Sequence, residues 1–195
     1  MTHRIPRRSA RRAAATLLSL VLCGCSGLPV SVGTATAPPT IDGLPSDSPS
    51  VTLDVQIRSV SSQRAAPAGT CPEDATTPPA HVDAQLCSAD RTVIYDVGPA
   101  AVSGSDIADI SSVPHGSGFA VRITLTPQGR AGLSRLTAVA MVASPPVNQL
   151  ALVSHGRVQV ALPVSEQIDG GVLDISGFTS ESAAREAADL LLAPA

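Results

Sequence analysis

The chain has 195 residues and a formal charge of −3, with thirteen arginines, no lysine, no tryptophan, two phenylalanines and one tyrosine. Five of the arginines precede residue 25 and all sixteen acids follow it, so the remainder sets eight arginines against sixteen acids, a net of −8. That balance excludes nucleic acid and an anionic bilayer surface as partners, both of which demand clustered positive charge, and a core so poor in aromatics must be built from Val, Leu, Ile and Ala, as one domain of modest size.

Arg4, Arg7, Arg8, Arg11 and Arg12 form a positive leader, and Ala13 to Leu22 is apolar but for Thr16 and Ser19. That run is shorter than the roughly 20 residues needed to span a bilayer, so it reads as the apolar part of an export signal. Leu22-Cys23-Gly24-Cys25-Ser26 directly behind it resembles the lipobox of bacterial lipoproteins. The resemblance implies that residues 1–24 are a signal peptide and that Cys25 carries the lipid. The protein is then anchored at the extracytoplasmic face of the cell membrane, each buried methylene of the lipid contributing about 0.8 kcal/mol. An ordinary secretory peptide that leaves Cys25 a plain thiol is the alternative reading. Arg11-Arg12 leaves the twin-arginine route open beside the general one.

Residues 25–50 hold Pro29, Pro38, Pro39, Pro45 and Pro49 among Gly, Ser and Thr, the composition of a disordered tether. From Val51 to Arg58 apolar and polar residues alternate, which predicts a half-buried strand and opens a domain over 51–192. Residues 61–86 read as a loop containing Cys71, Pro72, Pro78 and Pro79. Cys71 and Cys87 are the only cysteines after Cys25 and lie beyond the membrane, so they are expected to form a disulfide worth about 3 kcal/mol by loop entropy. Their spacing fits neither a redox Cys-x-x-Cys pair nor a metal site.

Thr92–Val97 predicts a second strand, ended by Gly98-Pro99. Val102–Ile110 predicts a turn feeding a short helix with Ser105 or Asp106 at its cap. Phe119–Leu125 alternates again, and Thr126-Pro127 then opens a helix, Thr capping its amides and Pro taking the first position. Leu133, Leu136 and Ala140 give that helix an apolar face, while Gly129 and Gly132 imply close approach to a sheet. Leu150–Val153 and Val158–Leu162 flank Ser154-His155-Gly156-Arg157 as a hairpin. A strand from Gly171 to Ile175 ends at Gly177. The last helix starts at Thr179 and places Ala184, Ala187 or Ala188, and Leu191 on one stripe. The order describes an α+β domain with a mostly antiparallel sheet and helices packed on one face.

Catalytic chemistry finds little support. Ser154-His155-Gly156 lacks a nucleophile elbow and an orienting acid, and His155 sits at a turn tip exposed to solvent. His115 lies in a Pro-Gly loop. Asp106 with Asp109, and Glu186 with Asp189, read as solvated faces of helices rather than a Ca²⁺ loop. Gly170-Gly171 has no following Lys and reads as a turn, not a phosphate loop. The expectation is no enzyme, no cofactor and no metal.

Several segments resemble one family, the head subdomain of the first extracytoplasmic region of the protein-export membrane protein SecD. They are the hairpin Leu150–Val158, Glu166-Gln167-Ile168-Asp169-Gly170-Gly171, and Ile175-Ser176-Gly177-Phe178-Thr179 with its Ala-rich helix. Upstream, Gly98-Pro99 with Gly104, Asp106 and Ile107, and Leu125-Thr126-Pro127-Gln128-Gly129 with Leu136-Thr137, are also similar to it. The strongest resemblance covers 90–192. Pro163 comes one place late and His155 replaces the usual Asp. The resemblance implies a lipoprotein, of an actinobacterial type, whose head-like module binds a protein partner or an exported polypeptide. A structural or cell-wall-facing lipoprotein is the alternative. An exposed apolar groove beside the sheet favours the first reading, and a uniformly polar surface the second.

Overall fold

The computed structural model describes residues 53–193, so the arginine-rich leader, Cys25 and the tether lie outside the described residues. Eight strands and two helices follow in order: β1 (Val55–Ala65), β2 (Ala84–Ser88), β3 (Val93–Val102), β4 (Ile107–His115), β5 (Gly118–Leu125), α1 (Pro127–Ala140), β6 (Gln149–Ser154), β7 (Arg157–Pro163), β8 (Val172–Phe178) and α2 (Glu181–Leu192). The strands build two sheets rather than the single one expected. One is a closed barrel in the order β1-β3-β2-β7-β6, the other a three-stranded sheet β4-β5-β8. Every pairing is antiparallel except β2 with β7, so the α+β class with a mostly antiparallel arrangement holds.

Alternation in sequence explains why the main core lies between these sheets. On β1 and β6, Ile57 faces Leu152 across the ladder and both point out of the barrel, towards Val121, Ile123 and Leu173 of the second sheet. The opposite faces of the same barrel strands carry Val60, Ala151 and Val153 into a small inner cluster with Leu86, Val97 and Val158. Helix α2 covers β4 and β5 with Ala184, Ala188 and Leu191, and α1 packs chiefly on β3. The helices therefore serve different sheets.

Thr126 caps α1 through its hydroxyl, which accepts from the Gly129 amide at 3.2 Å, and Pro127 occupies the first helical position. Close approach at its two glycines is realised. A Cβ at Gly132 would stand 2.1 Å from the Ala101 carbonyl oxygen, and one at Gly129 would stand 2.5 Å from that of Asp106. The cap of α2 falls on Ser180, one residue later than Thr179.

Three local expectations differ from the structure, each for a physical reason. Strand β1 continues to Ala65 because Ser62 to Ala65 pair with Val93 to Asp96; Ser61 to Ala65 are exposed or half-buried on both faces of β1, so no alternation marks this end of the strand. Strand β3 runs through Gly98-Pro99 because a register shift sets both residues opposite Ser59, and at a bulge the missing amide of Pro99 costs no ladder bond. The helix expected at 105–110 is a single 3₁₀ turn, Gly104–Asp106, followed by β4. Another register shift, between Ile107 and Asp109, brings Ile107 and Ile110 to the same core, which mimics helical spacing within a strand.

The excursion between β1 and β2 is fastened at several points. Cys71 and Cys87 are bonded, with Cα atoms 5.9 Å apart. Arg58, completely buried, donates to Gln56 Oε1 and to the carbonyl oxygens of Val82, Gly98 and Pro79 at 2.7 to 2.9 Å. Arg157 donates to the carbonyl oxygens of Pro72 and Glu73.

Candidate functional site

The residue types that invited a catalytic reading are used structurally. At the tip of the β6–β7 hairpin, His155 (φ 51°) and Gly156 (φ 67°) form a tight turn with positive φ at both centres. Ser154 Oγ lies 2.8 Å from His155 Nδ1, but Ser154 is fully buried and out of reach of any substrate. The nearest acid, Asp54, accepts from the backbone amide of His155 at 2.8 Å and from Thr77 Oγ1 at 2.7 Å, leaving the imidazole without an orienting carboxylate. Thr77 Oγ1 accepts in turn from the Gly156 amide. The arrangement clamps the hairpin tip, and His155 is half-buried rather than solvent-exposed. A Cβ at Gly156 would lie within 2.6 Å of the Ala75–Thr76 backbone, so glycine is required there.

Asp106 and Asp109 do not share a helix. Asp106 accepts from the Ser103 amide at 2.9 Å in the 3₁₀ turn, and Asp109 accepts from Ser111 Oγ on β4. His115 stands 3.8 Å from Asp174 on the outer face of the second sheet. There Arg122 forks onto both Asp174 oxygens at 2.8 and 2.7 Å, and this bidentate contact holds Asp174 below the usual carboxylate range. Gly170 and Gly171 lead into β8, where the Gly171 carbonyl accepts from the Leu125 amide. Among the described residues no group of three or more His, Cys, Asp or Glu could hold a metal ion.

Several concavities of about 300 to 730 Å³ open among the described residues, and two bear on function. The larger, about 730 Å³, lies between α1 and residues 169–172 and is walled by exposed side chains such as Arg130, Pro127 and Asp169. The smaller, about 350 Å³, has a different chemistry. It is an unfilled corner of the main core, open at the surface between the two sheets. Val121 and Leu152 form its floor, Val160 of β7 and Ile175 of β8 its sides, and Leu191 of α2 its end; the three deepest are 1, 2 and 4 % exposed. Phe178, half-buried, and Leu190, 52 % exposed, stand at the mouth. No charged side chain lines it. A few apolar side chains entering such a site leave water without any penalty from buried charge.

The groove was not legible residue by residue, but two signals for it exist. The run Leu190-Leu191-Leu192 exceeds what one buried stripe can use: Leu191 is buried, and Leu190 and Leu192 stay 52 and 39 % exposed. Ile175-Ser176-Gly177-Phe178, read as a strand end and as part of the family resemblance, supplies the β8 wall.

The SecDF P1 head subdomain family matches residues 84–195, from β2 through α2. The chain belongs to that family. Among solved structures, SecDF in a super-membrane-facing form is similar at 22 % identity and a TM-score of 0.46, over 70 % of this chain and 18 % of that one. A structure of SecDF, described as a membrane component that enhances protein export, is similar at 20 % identity and a TM-score of 0.43, over 73 % of this chain and 62 % of that one. The chain thus spans less than two thirds of either SecDF chain. Comparison with curated proteins finds no match. Within the described residues of this P1 head, no helix is long and apolar enough to cross a membrane.

Proposed function

We propose that this protein is a non-enzymatic lipoprotein of the cell envelope whose P1 head binds segments of exported polypeptide in the apolar groove between β7, β8 and α2. Residues 1–24 are the signal peptide, Cys25 carries the lipid, 25–50 form the tether and 51–192 the binding domain. The observation that carries the reading is the groove itself: an apolar cavity continuous with the core and left open, with Leu190 52 % exposed at its mouth and no charged side chain in its lining. A structural or wall-facing lipoprotein has no use for that opening. Membership of the SecDF family supports export as the setting, and the absence of a charge in the groove supports an apolar segment as the occupant.

Two experiments test the proposal. Cys25→Ser is expected to move the protein from the membrane fraction to the soluble fraction, read by fractionation and by intact mass of the mature chain; a variant that stays membrane-bound would refute the anchor. For the groove, a photo-reactive residue at Leu190 should capture exported chains or translocase subunits, identified by mass spectrometry. The same probe at Val142, 79 % exposed and just beyond the C-terminal end of α1, serves as the control. Equal capture at both positions, or capture of wall proteins alone, would remove the export role.

A further inference from the structure

Resting on the reading of the groove as a polypeptide site, we infer that its occupant binds as an added β-strand along the outer edge of β8. We further infer that the preferred segment carries a Lys or Arg beside its apolar residues. Strand β8 is an edge: it pairs with β5 on one side, and no strand among the described residues pairs with its other side. Its exposed stretch, Ser176-Gly177, lies on the groove. Gly177 has φ 115°, a conformation closed to side-chain-bearing residues, and a Cβ there would meet nothing within 4 Å. Gly177 is the extra residue of a bulge, between Ser176 opposite Ala120 and Phe178 opposite Phe119, so the edge carries no Cβ at the point where a second backbone would approach. An incoming strand that bonds to this edge alternates its side chains, so every second one enters the apolar corner formed by Val121, Leu152 and Leu191.

Charge selects the flanking residue. The groove ends at the C-terminal turn of α2, which carries no basic side chain and presents the negative end of the helix dipole. Glu186 and Asp189 are exposed on that helix and form no ion pair among the described residues, whereas Arg185 is engaged by Glu181. A basic residue on the bound segment meets this field, and an acidic one is repelled. The same field disfavours an anionic bilayer as the occupant of the groove.

The test is fluorescence anisotropy of the full chain with a labelled peptide, Lys-Val-Thr-Val-Ser-Val, and two relatives: one N-methylated at alternate amides, the other with Lys replaced by Glu. N-methylation is expected to weaken binding at least tenfold, because it removes the edge bonds without changing the side chains. The Lys-to-Glu peptide should bind about tenfold more weakly, and Glu186→Lys with Asp189→Lys should reverse that preference. If the parent and both relatives bind alike, strand addition and the basic preference are overturned while the groove reading survives. If no peptide binds, or if Leu190→Asp leaves parent binding unchanged, the groove reading itself falls. Displacement of the peptide by phosphatidylcholine vesicles would also overturn the inference, in favour of a lipid surface.

Discussion

Arg58→Met is expected to lower the stability of the domain by about 3 kcal/mol, the scale for leaving several buried polar groups without partners. Arg58 shares its strand face with Val60 and lies opposite Ala151, so its stem belongs to the inner cluster of the barrel. Its guanidinium is stripped of water, and burial lowers its pKa from the ordinary value although Asp83 acts in the opposite sense. The guanidinium exchanges water for four well-placed acceptors from β1, β3 and the 78–82 segment. Two of these are the Gly98 carbonyl in the β1–β3 bulge and the Pro79 carbonyl, which also accepts from the Val82 amide at 3.4 Å and offers the guanidinium its second lone pair. Methionine fills much of the volume and satisfies none of them. Arg58→Lys should lose less, because an ammonium keeps the charge and up to three donors but not the planar fork. Urea denaturation of the three proteins measures this. A methionine variant within about 0.5 kcal/mol of the parent would show that the segment docks without the arginine.

Arg58 also marks the limit of what this sequence discloses. Period-two alternation from Val51 identifies a strand, and it assigns Arg58 to the polar, outward set. That inference holds for a sheet with one wet face, but β1 has a core on each side: the interlayer core takes Val55 and Ile57, the barrel takes Arg58 and Val60. Elements with one buried face, β5, α1 and α2, were legible almost to the residue, and so was the β6–β7 hairpin, whose turn residues mark it although β6 has a core on each side. Strand β2 was hidden because it has five residues and one fully buried side chain, Leu86, which gives no period to detect. Strand β4 was hidden by its bulge. The groove was legible only as a surplus, an extra leucine in α2 and a family motif with no assigned work, because a cavity is a property of two sheets meeting, and neither wall alone encodes it.

Removing the disulfide, by Cys71→Ser with Cys87→Ser, should cost about 3 kcal/mol and lower Tm by roughly 10 °C. The bond closes a loop across a sequence separation of 16, over a Pro-rich, polar stretch that adds only Leu86 to the buried apolar core. Its stabilisation therefore acts mainly on the unfolded chain, where it removes loop entropy that no packing in this segment would otherwise offset. The position of Cys87 adds a native-state term. Strand β2 is the sole link between β3 and β7 in the barrel, and its contact with β7 consists of two parallel pairs, Cys87 with Arg157 and Ser88 with Val158. The disulfide holds the 66–83 segment to the narrowest seam of the barrel from one side, and Arg58 holds the same segment from the other. Loss of both should consequently cost more than the sum of the separate losses, since each tie limits the freedom gained when the other is cut. Thermal unfolding of the four proteins completes the cycle. Additive losses, or a Tm unchanged by the double serine substitution, would mean that the two fasteners act on independent parts of the fold.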